Sequence, residues 1–371
     1  MPGRRRQLVV LGFMVLIWGG LSPHPVRAEM TSRVTLKILT INVWSGLTYQ
    51  GVWKMGTYET PAHRSERYRL LVAQLRKVRP DIICLQEANP LPDYAGDLAR
   101  ALGYRAYAHV AMGGIHLGPF GLPVNFREGE VILVNPDLAV RSLGNRQISG
   151  SGLASNWVTF HFSELTEIMG IQVSTGGMKL NIFNTHLHAG PGPSKATIGD
   201  LQGLLMQGVI TRDTMQQMLK SYEANETRRK EELRAGLQFI RERTAPEEPA
   251  ILAGDLNLEP GSDAYQVLAQ QDFQDTYLQN PSERTYTWDS RKNINIQLYY
   301  DTPAPGDPPR DIIEAKYDQR PKRIDYIWVR NGQTAYRVER TGLFGTEPRE
   351  GVHLSDHFGY WTLITFPVSS E

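Results

Sequence analysis

Ile251-Leu252-Ala253-Gly254-Asp255-Leu256-Asn257 is a short apolar run that stops on a carboxylate and, two residues later, an amide. An aliphatic run bounded by Gly and polar residues reads as a buried strand leaving the core. The pattern recurs. Asp81-Ile82-Ile83-Cys84-Leu85-Gln86 runs straight into Glu87, Leu180 to Phe183 runs into Asn184-Thr185-His186-Leu187-His188, and Ile38 to Val43 carries Asn42 near its end. A buried strand ending in such a group presents it at one rim of its sheet, so four endings can meet at one point. Arg323-Ile324-Asp325-Tyr326 and Ser355-Asp356-His357-Phe358 instead begin strands. If those strands run antiparallel to the others, their first residues reach the same rim.

Working outward, strand-like runs recur at Val131–Val134, Trp157–Phe162, Ile168–Val173, Ile324–Val329 and Phe358–Phe366. Two helical patterns interrupt them. Glu66 to Val78 puts Leu70, Leu71, Leu75 and Val78 on one face, and Glu226 to Arg243 does the same with Leu233, Leu237 and Ile240. Many strands with few helices imply an α/β protein of packed sheets with helices outside. No repeat and no linker divides the chain, so one domain is expected over residues 30–368. Three long loops are expected: Trp44–Ala62 with Trp44, Tyr49, Trp53 and Tyr58; the Gly- and Pro-rich Met112–Phe126; and Ala189–Tyr222. Such loops either serve function or cover a sheet edge.

Residues 1–28 read as a cleaved secretory signal: Arg4, Arg5 and Arg6, then an apolar run from Leu8 to Leu21, then Val26-Arg27-Ala28. The run is short for a membrane span; an uncleaved anchor is the alternative. A secreted or periplasmic protein is expected. Cleavage would remove Arg4, Arg5, Arg6 and Arg27 and no acid, taking the formal charge from +1 to −3. That balance gives no general attraction to polyanions. One cysteine permits no internal disulfide, and Cys84, inside an apolar run, reads as a buried small hydrophobe. A monomer with no obligate protein partner is expected.

The rim set is Asn42, Glu87, His186, Asp255, Asn257, Asp325, Asp356 and His357. Singly, each reads as a loop acid or a strand cap; their convergence carries the case. Hard oxygen donors suit Mg²⁺, with Mn²⁺ or Ca²⁺ possible. Two imidazoles suit proton transfer near neutral pH. Together they match the needs of phosphodiester hydrolysis by activated water.

These stretches, with Thr40-Ile41-Asn42-Val43-Trp44 and His353-Leu354-Ser355-Asp356-His357, occur in an order that resembles the endonuclease/exonuclease/phosphatase superfamily. That superfamily includes deoxyribonuclease I and the neutral magnesium-dependent sphingomyelinases. The resemblance implies a four-layer αββα sandwich of two packed mixed sheets flanked by helices. It implies Glu87 as principal metal ligand with Asn42 beside it. Asp255 and Asn257 would contact the phosphate, the water or a second metal. His357 would be the general base and His186 the acid or phosphate-stabilising partner. Asp325 and Asp356 would divide the tasks of orienting His357 and supporting the metal. Glu128 falls where related nucleases hold an acid against the first histidine.

His186 separates this chain from the apurinic endonuclease branch, which uses a tyrosine, and the Pro-Trp-Cys-Asp-Arg segment of the inositol 5-phosphatases is absent around Asp325. Thr185-His186-Leu187-His188-Ala189 is similar to the sphingomyelinase form. The substrate expected is therefore a phosphodiester, a lipid headgroup at a membrane surface, with a nuclease acting on DNA as the alternative. A binding protein on a retired hydrolase scaffold is a third reading. The Tyr49, Trp53, Tyr58 loop either dips into an interface or packs over a sheet edge. Trp288 reads as a buried structural residue, with substrate stacking as the alternative; His188 either lines the site or sits in a loop.

Overall fold

The computed structural model describes residues 32–282, 285–302, 304, 306–333 and 335–368. The export signal expected over residues 1–28 lies outside the described residues. In chain order the elements begin β1 (Ser32–Asn42), α1 (Pro61–Val78), β2 (Ile82–Ala88), α2 (Asp93–Leu102), β3 (Arg105–Met112), β4 (Ile115–Leu117), β5 (Phe120–Leu122) and β6 (Glu128–Val134). Next come β7 (Ala139–Ser149), β8 (Gly152–Ala154), β9 (Val158–His161), β10 (Thr166–Thr175), β11 (Met178–His186), α3 (Lys195–Met206) and α4 (Arg212–Arg243). The remainder is β12 (Ala250–Asp255), α5 (Asp263–Ala269), β13 (Phe273–Asp275), α6 (Thr276–Gln279), α7 (Ile294–Tyr299), α8 (Pro309–Asp318), β14 (Asp325–Arg330), β15 (Arg337–Phe344) and β16 (Gly359–Val368).

Two six-stranded mixed sheets, β15-β16-β1-β2-β6-β3 and β13-β14-β12-β11-β10-β7, pack face to face. Ile38, Ile82 and Ile132 of the first sheet meet Ile171, Ile182, Ile251 and Ile327 of the second, and Cys84 is buried among them as a free thiol. The outer face of the first sheet packs Leu39, Leu85 and Leu133 on Leu70, Leu71 and Leu75 of α1 and Leu98 of α2. The outer face of the second packs Phe183 and Leu252 on Leu233, Leu237 and Phe239 of α4. This is the expected four-layer sandwich. Truncating a side chain such as the fully buried Phe183 to Ala costs about 3–5 kcal/mol in such a core. No helix among the described residues is long and apolar enough to cross a membrane.

Two loop expectations need correction. Met112–Phe126 forms β4 and β5, which join β9 and β8 in a separate four-stranded sheet. Ala189–Tyr222 contains α3 and the first turns of α4, because Leu201 and Leu204 bury against Tyr222 and Ile313 in a small satellite core. Thr211 caps α4 by accepting the amide of Thr214, so the helix starts well before Glu226.

The topology delivers the convergence. β1 runs parallel to β2, and β11 parallel to β12, while β16 is antiparallel to β1 and β14 antiparallel to β12. Alternate residues share a face. Along the face between the sheets, Ile38-Thr40-Asn42, Ile182-Asn184-His186, Ile251-Ala253-Asp255 and Val329-Ile327-Asp325 each change from aliphatic to polar at the same end. Just below that end, Gln86 Nε2 donates to Asn184 Oδ1 at 2.6 Å and Asn184 Nδ2 to Leu85 O at 2.8 Å, tying the two sheets together.

Candidate active site

Glu87 follows Leu85, whose side chain faces the helices, so strict alternation would turn it away from the rim. A register shift between β2 and β6 after Leu85, with Glu87 at φ 55°, redirects it into the cleft. That left-handed conformation is strained for a glutamate. Asn42 Nδ2 donates to Glu87 Oε1 at 2.8 Å and to Asp255 Oδ2 at 3.1 Å, and the Ser45 amide donates to Glu87 Oε2 at 3.0 Å. Asn42 Oδ1 already accepts from the Trp44 amide at 2.9 Å. Asn42 therefore holds Glu87 and Asp255 in place through Nδ2, while its Oδ1 keeps one lone pair free.

Asp255 Oδ2 lies between the two imidazoles, 3.5 Å from His186 Nε2 and 3.7 Å from His357 Nε2. The Nδ1 of His357 donates to Asp325 Oδ2 at 2.9 Å. The task left open between two aspartates is thus divided: Asp325 orients His357. Asp356 turns elsewhere, accepting from the Tyr300 hydroxyl at 2.6 Å and from Ser355 Oγ at 3.1 Å. The single hydroxyl proton of Ser355 is shared with Asn42 O, 2.7 Å from Ser355 Oγ, so the start of one strand is fastened to the end of its neighbour. Asn257, at φ 49°, lines the cleft and gives its Nδ2 to Leu187 O at 2.9 Å.

Glu128 reaches the cleft, but its Oε2 accepts from the Tyr49 hydroxyl at 2.8 Å. Its charge acts on His186, although no hydrogen bond joins the two. His188 is held by Glu164 at 2.7 Å and Asn225 at 3.1 Å, in a network beside the cleft. Trp288 is buried and packs edge-on against His357 with ring centroids 5.1 Å apart, so the structural reading holds. Tyr300 and Lys322 carry no signal in the sequence, and Tyr49 reads there only as a loop aromatic. Tyr49 lay in a noticed loop, but neither tyrosine has a local signal; each is placed by its hydroxyl's long-range partner.

The electrostatics follow from carboxylates crowded out of water. Burial and the neighbouring Glu87 push the Glu128 carboxyl up to about 8. Burial raises Asp356 to about 6, with Glu87 adding to the shift and His357 opposing it. Burial disfavours the charged form of His357, yet Asp325 and Asp255 outweigh it and lift it to about 10. His186 is likewise raised, by Asp255 and Glu87 against its burial.

This surplus of negative charge is what a divalent cation neutralises, and the donors are hard oxygens, so the residues fit such a metal. Two places offer themselves. Glu87 and Asp356 are one. Asp255, Asp325 and His357 are the other: their donor atoms lie within 4.8 Å of one another, and Asp325 Oδ1 is buried without a partner. In the second set Asp325 engages Nδ1 of the imidazole and leaves Nε2 free, an arrangement that serves proton transfer and ligation alike.

The cleft has a volume of about 890 Å³. Lys322 is its only basic Lys or Arg among the described residues; burial lowers its amine to about 8.

Solved structures share this fold. D. rerio TDP2 complexed with single strand DNA product is 20% identical, with a TM-score of 0.55 over 89% of this chain and 98% of that one. An endonuclease/exonuclease/phosphatase family protein from Bacteroides thetaiotaomicron is 16% identical, with a TM-score of 0.54 over 91% and 100%. A mannosyl-6-phosphatase of the same organism is 15% identical, with a TM-score of 0.53 over 89% and 99%. Among curated protein sequences, none matches. The family model for Endonuclease/Exonuclease/phosphatase matches residues 39–357, from the middle of β1 to the second histidine of the rim. The chain therefore belongs to the endonuclease/exonuclease/phosphatase family and is a metal-dependent phosphoester hydrolase.

Proposed function

We propose that the chain is an exported phosphodiesterase acting on a lipid, in the manner of a sphingomyelinase or phospholipase C. The observation that carries the choice of substrate is the lining of the cleft. Its lining combines the carboxylates of Glu87, Glu128, Asp255 and Asp356 with the apolar side chains of Val52, Ile115, Leu122, Phe126 and Phe162. A nucleic acid needs Lys and Arg along its backbone path, and here there is only Lys322. Arginines that lie close together in sequence are committed elsewhere: Arg67 pairs with Glu59, Arg69 with Glu66, and Arg229 with Glu226. A lipid diester needs one polar end and an apolar wall beside it.

Glu87 and Asp356 would hold the metal, Mg²⁺ by the donor set, with Asn42 fixing Glu87. When bound, the metal supplies charge neutralisation for the phosphate oxygens and the leaving group. The chain does the rest. His357, oriented through Nδ1 by Asp325, presents Nε2 to the cleft and takes the proton of the attacking water in its neutral form, which cation charge beside Asp356 and Glu87 would favour. Asp255, between the two imidazoles, fixes that water. His186, whose cationic form Asp255 and Glu87 favour, donates to the oxygen that leaves. Asn257 and Lys322 line the same cleft and steady the phosphate.

The test is a panel of sphingomyelin, phosphatidylcholine and DNA offered to the purified mature protein with Mg²⁺. Release of phosphocholine supports the reading. Acid-soluble nucleotides alone would favour the nuclease, and no product from any substrate would favour a binding protein.

A further inference from the structure

The four-stranded sheet β5-β4-β9-β8 is inside out. An antiparallel sheet with one wet face ordinarily turns its apolar side inward. Here His116, Thr159 and His161 are buried against the protein, and His161 Nε2 accepts the amides of Gly113 and Gly114. The residues facing out are aliphatic and aromatic. Cross-strand register sets Leu122, Ile115, Phe160 and Leu153 in one row and Phe120, Leu117 and Val158 in the next. Leu117 is 69% exposed, Phe120 80% and Trp157 74%.

The tip of the Trp44–Ala62 loop extends this face. The Val124 amide donates to Trp53 O at 2.9 Å, and the Met55 amide to Asn125 Oδ1 at 2.7 Å, so Trp53, 75% exposed, is moored beside the sheet. The other two aromatics of that loop belong elsewhere. Tyr49 holds Glu128, and Tyr58 stacks on Trp44 and Tyr300.

We infer that this face docks on the surface of a lipid bilayer. Charge points to the occupant. Residues 112–126 and 150–163 contain no Asp, Glu, Lys or Arg, and residues 44–58 contain only Lys54, in a chain that is 21% charged overall. A protein interface carries a polar rim and hydrogen bonds; these segments offer apolar side chains and flanking tryptophans, the composition of an interfacial anchor. Continuity is the second argument. Val52, Ile115, Leu122 and Phe162 belong both to the face and to the wall of the cleft. The face is therefore continuous with the wall of the cleft. The inference rests on the lipid reading of the cleft and adds how the substrate is delivered.

The test uses the mature chain and a combined Leu117→Ser, Phe120→Ser, Trp157→Ser variant, none of which lines the cleft. Binding to vesicles of phosphatidylcholine and sphingomyelin is measured by flotation in EDTA, and hydrolysis of water-soluble bis(p-nitrophenyl) phosphate is measured with Mg²⁺. The variant is expected to bind vesicles at least about a hundredfold more weakly. Its hydrolysis of the soluble diester should stay within about twofold of the parent. Absence of vesicle binding by the parent, or equal binding by the variant, overturns the inference. So does a parent dimer that the variant converts to monomer, since the face would then be covered by a second copy. Vesicle binding by a parent that cleaves neither lipid nor soluble diester would support docking and overturn the catalytic reading instead.

Discussion

His357 Nδ1 lies 2.9 Å from Asp325 Oδ2, joining the first residue of β14 to the residue two before β16 across the rim of two different sheets. A buried carboxylate at that nitrogen fixes the imidazole's orientation and leaves Nε2 toward the cleft, 3.7 Å from Asp255 Oδ2. The pairing depends on both strands starting at the same level, which the antiparallel registers of β14 on β12 and β16 on β1 impose.

Asp325→Asn keeps an acceptor at Nδ1 but removes the charge that stabilises the imidazolium. The rate should fall on the order of 10²–10⁴-fold. The His357 pKa should also fall from its raised value, read by NMR titration of the ring. An unchanged rate would remove the pair from the mechanism.

Glu87→Gln and Asp356→Asn should each weaken Mn²⁺ binding on the order of 10–100-fold or more, measured by calorimetry. Asp255→Asn should weaken it less. The reverse ranking would place the cation among Asp255, Asp325 and His357.

Cation affinity should rise with pH. Asp356, pushed up to about 6, and Glu128, pushed up to about 8, bind protons that the metal must displace. His357, raised to about 10, repels the cation while it is protonated. All three effects have the same sign, so calorimetry at pH 5.5, 7 and 8.5 should show monotonic tightening with proton release. A flat profile would show that these groups do not face the metal.

Gly254 takes φ 147°, and a Cβ there would lie 1.9 Å from Thr185 O, where β11 and β12 pair beside Asp255. Gly254→Ala should cost about 3–5 kcal/mol by denaturant unfolding, or abolish folding. A loss below 1 kcal/mol, on that scale of point substitutions, would mean the backbone relaxes there.

The sandwich and most of the rim were legible because apolar runs end on polar residues in four places and begin on them in two. Strand direction, inferred only conditionally, proved to be what brings Asp325 and His357 to the rim. Four features were hidden. The bulge that redirects Glu87 breaks the very alternation used to read strands. Tyr49 and Tyr300 act through hydroxyl partners 79 and 56 residues away in sequence. Asn42 gave its residue type but not which end of its amide faces the carboxylates. The β4 and β5 part of the inside-out sheet read as a loop, because three-residue strands separated by Gly and Pro have too little length for a pattern.

The most direct measurement is the Mg²⁺-dependent initial rate of phosphocholine release from sphingomyelin by the parent and by His357→Ala, each with and without EDTA. The parent should depend on the cation, and the variant should lose at least about 10³-fold with its fold intact by circular dichroism. A chelator-insensitive rate, or a variant that keeps the parent's rate, would contradict a metal-dependent site built from the strand ends.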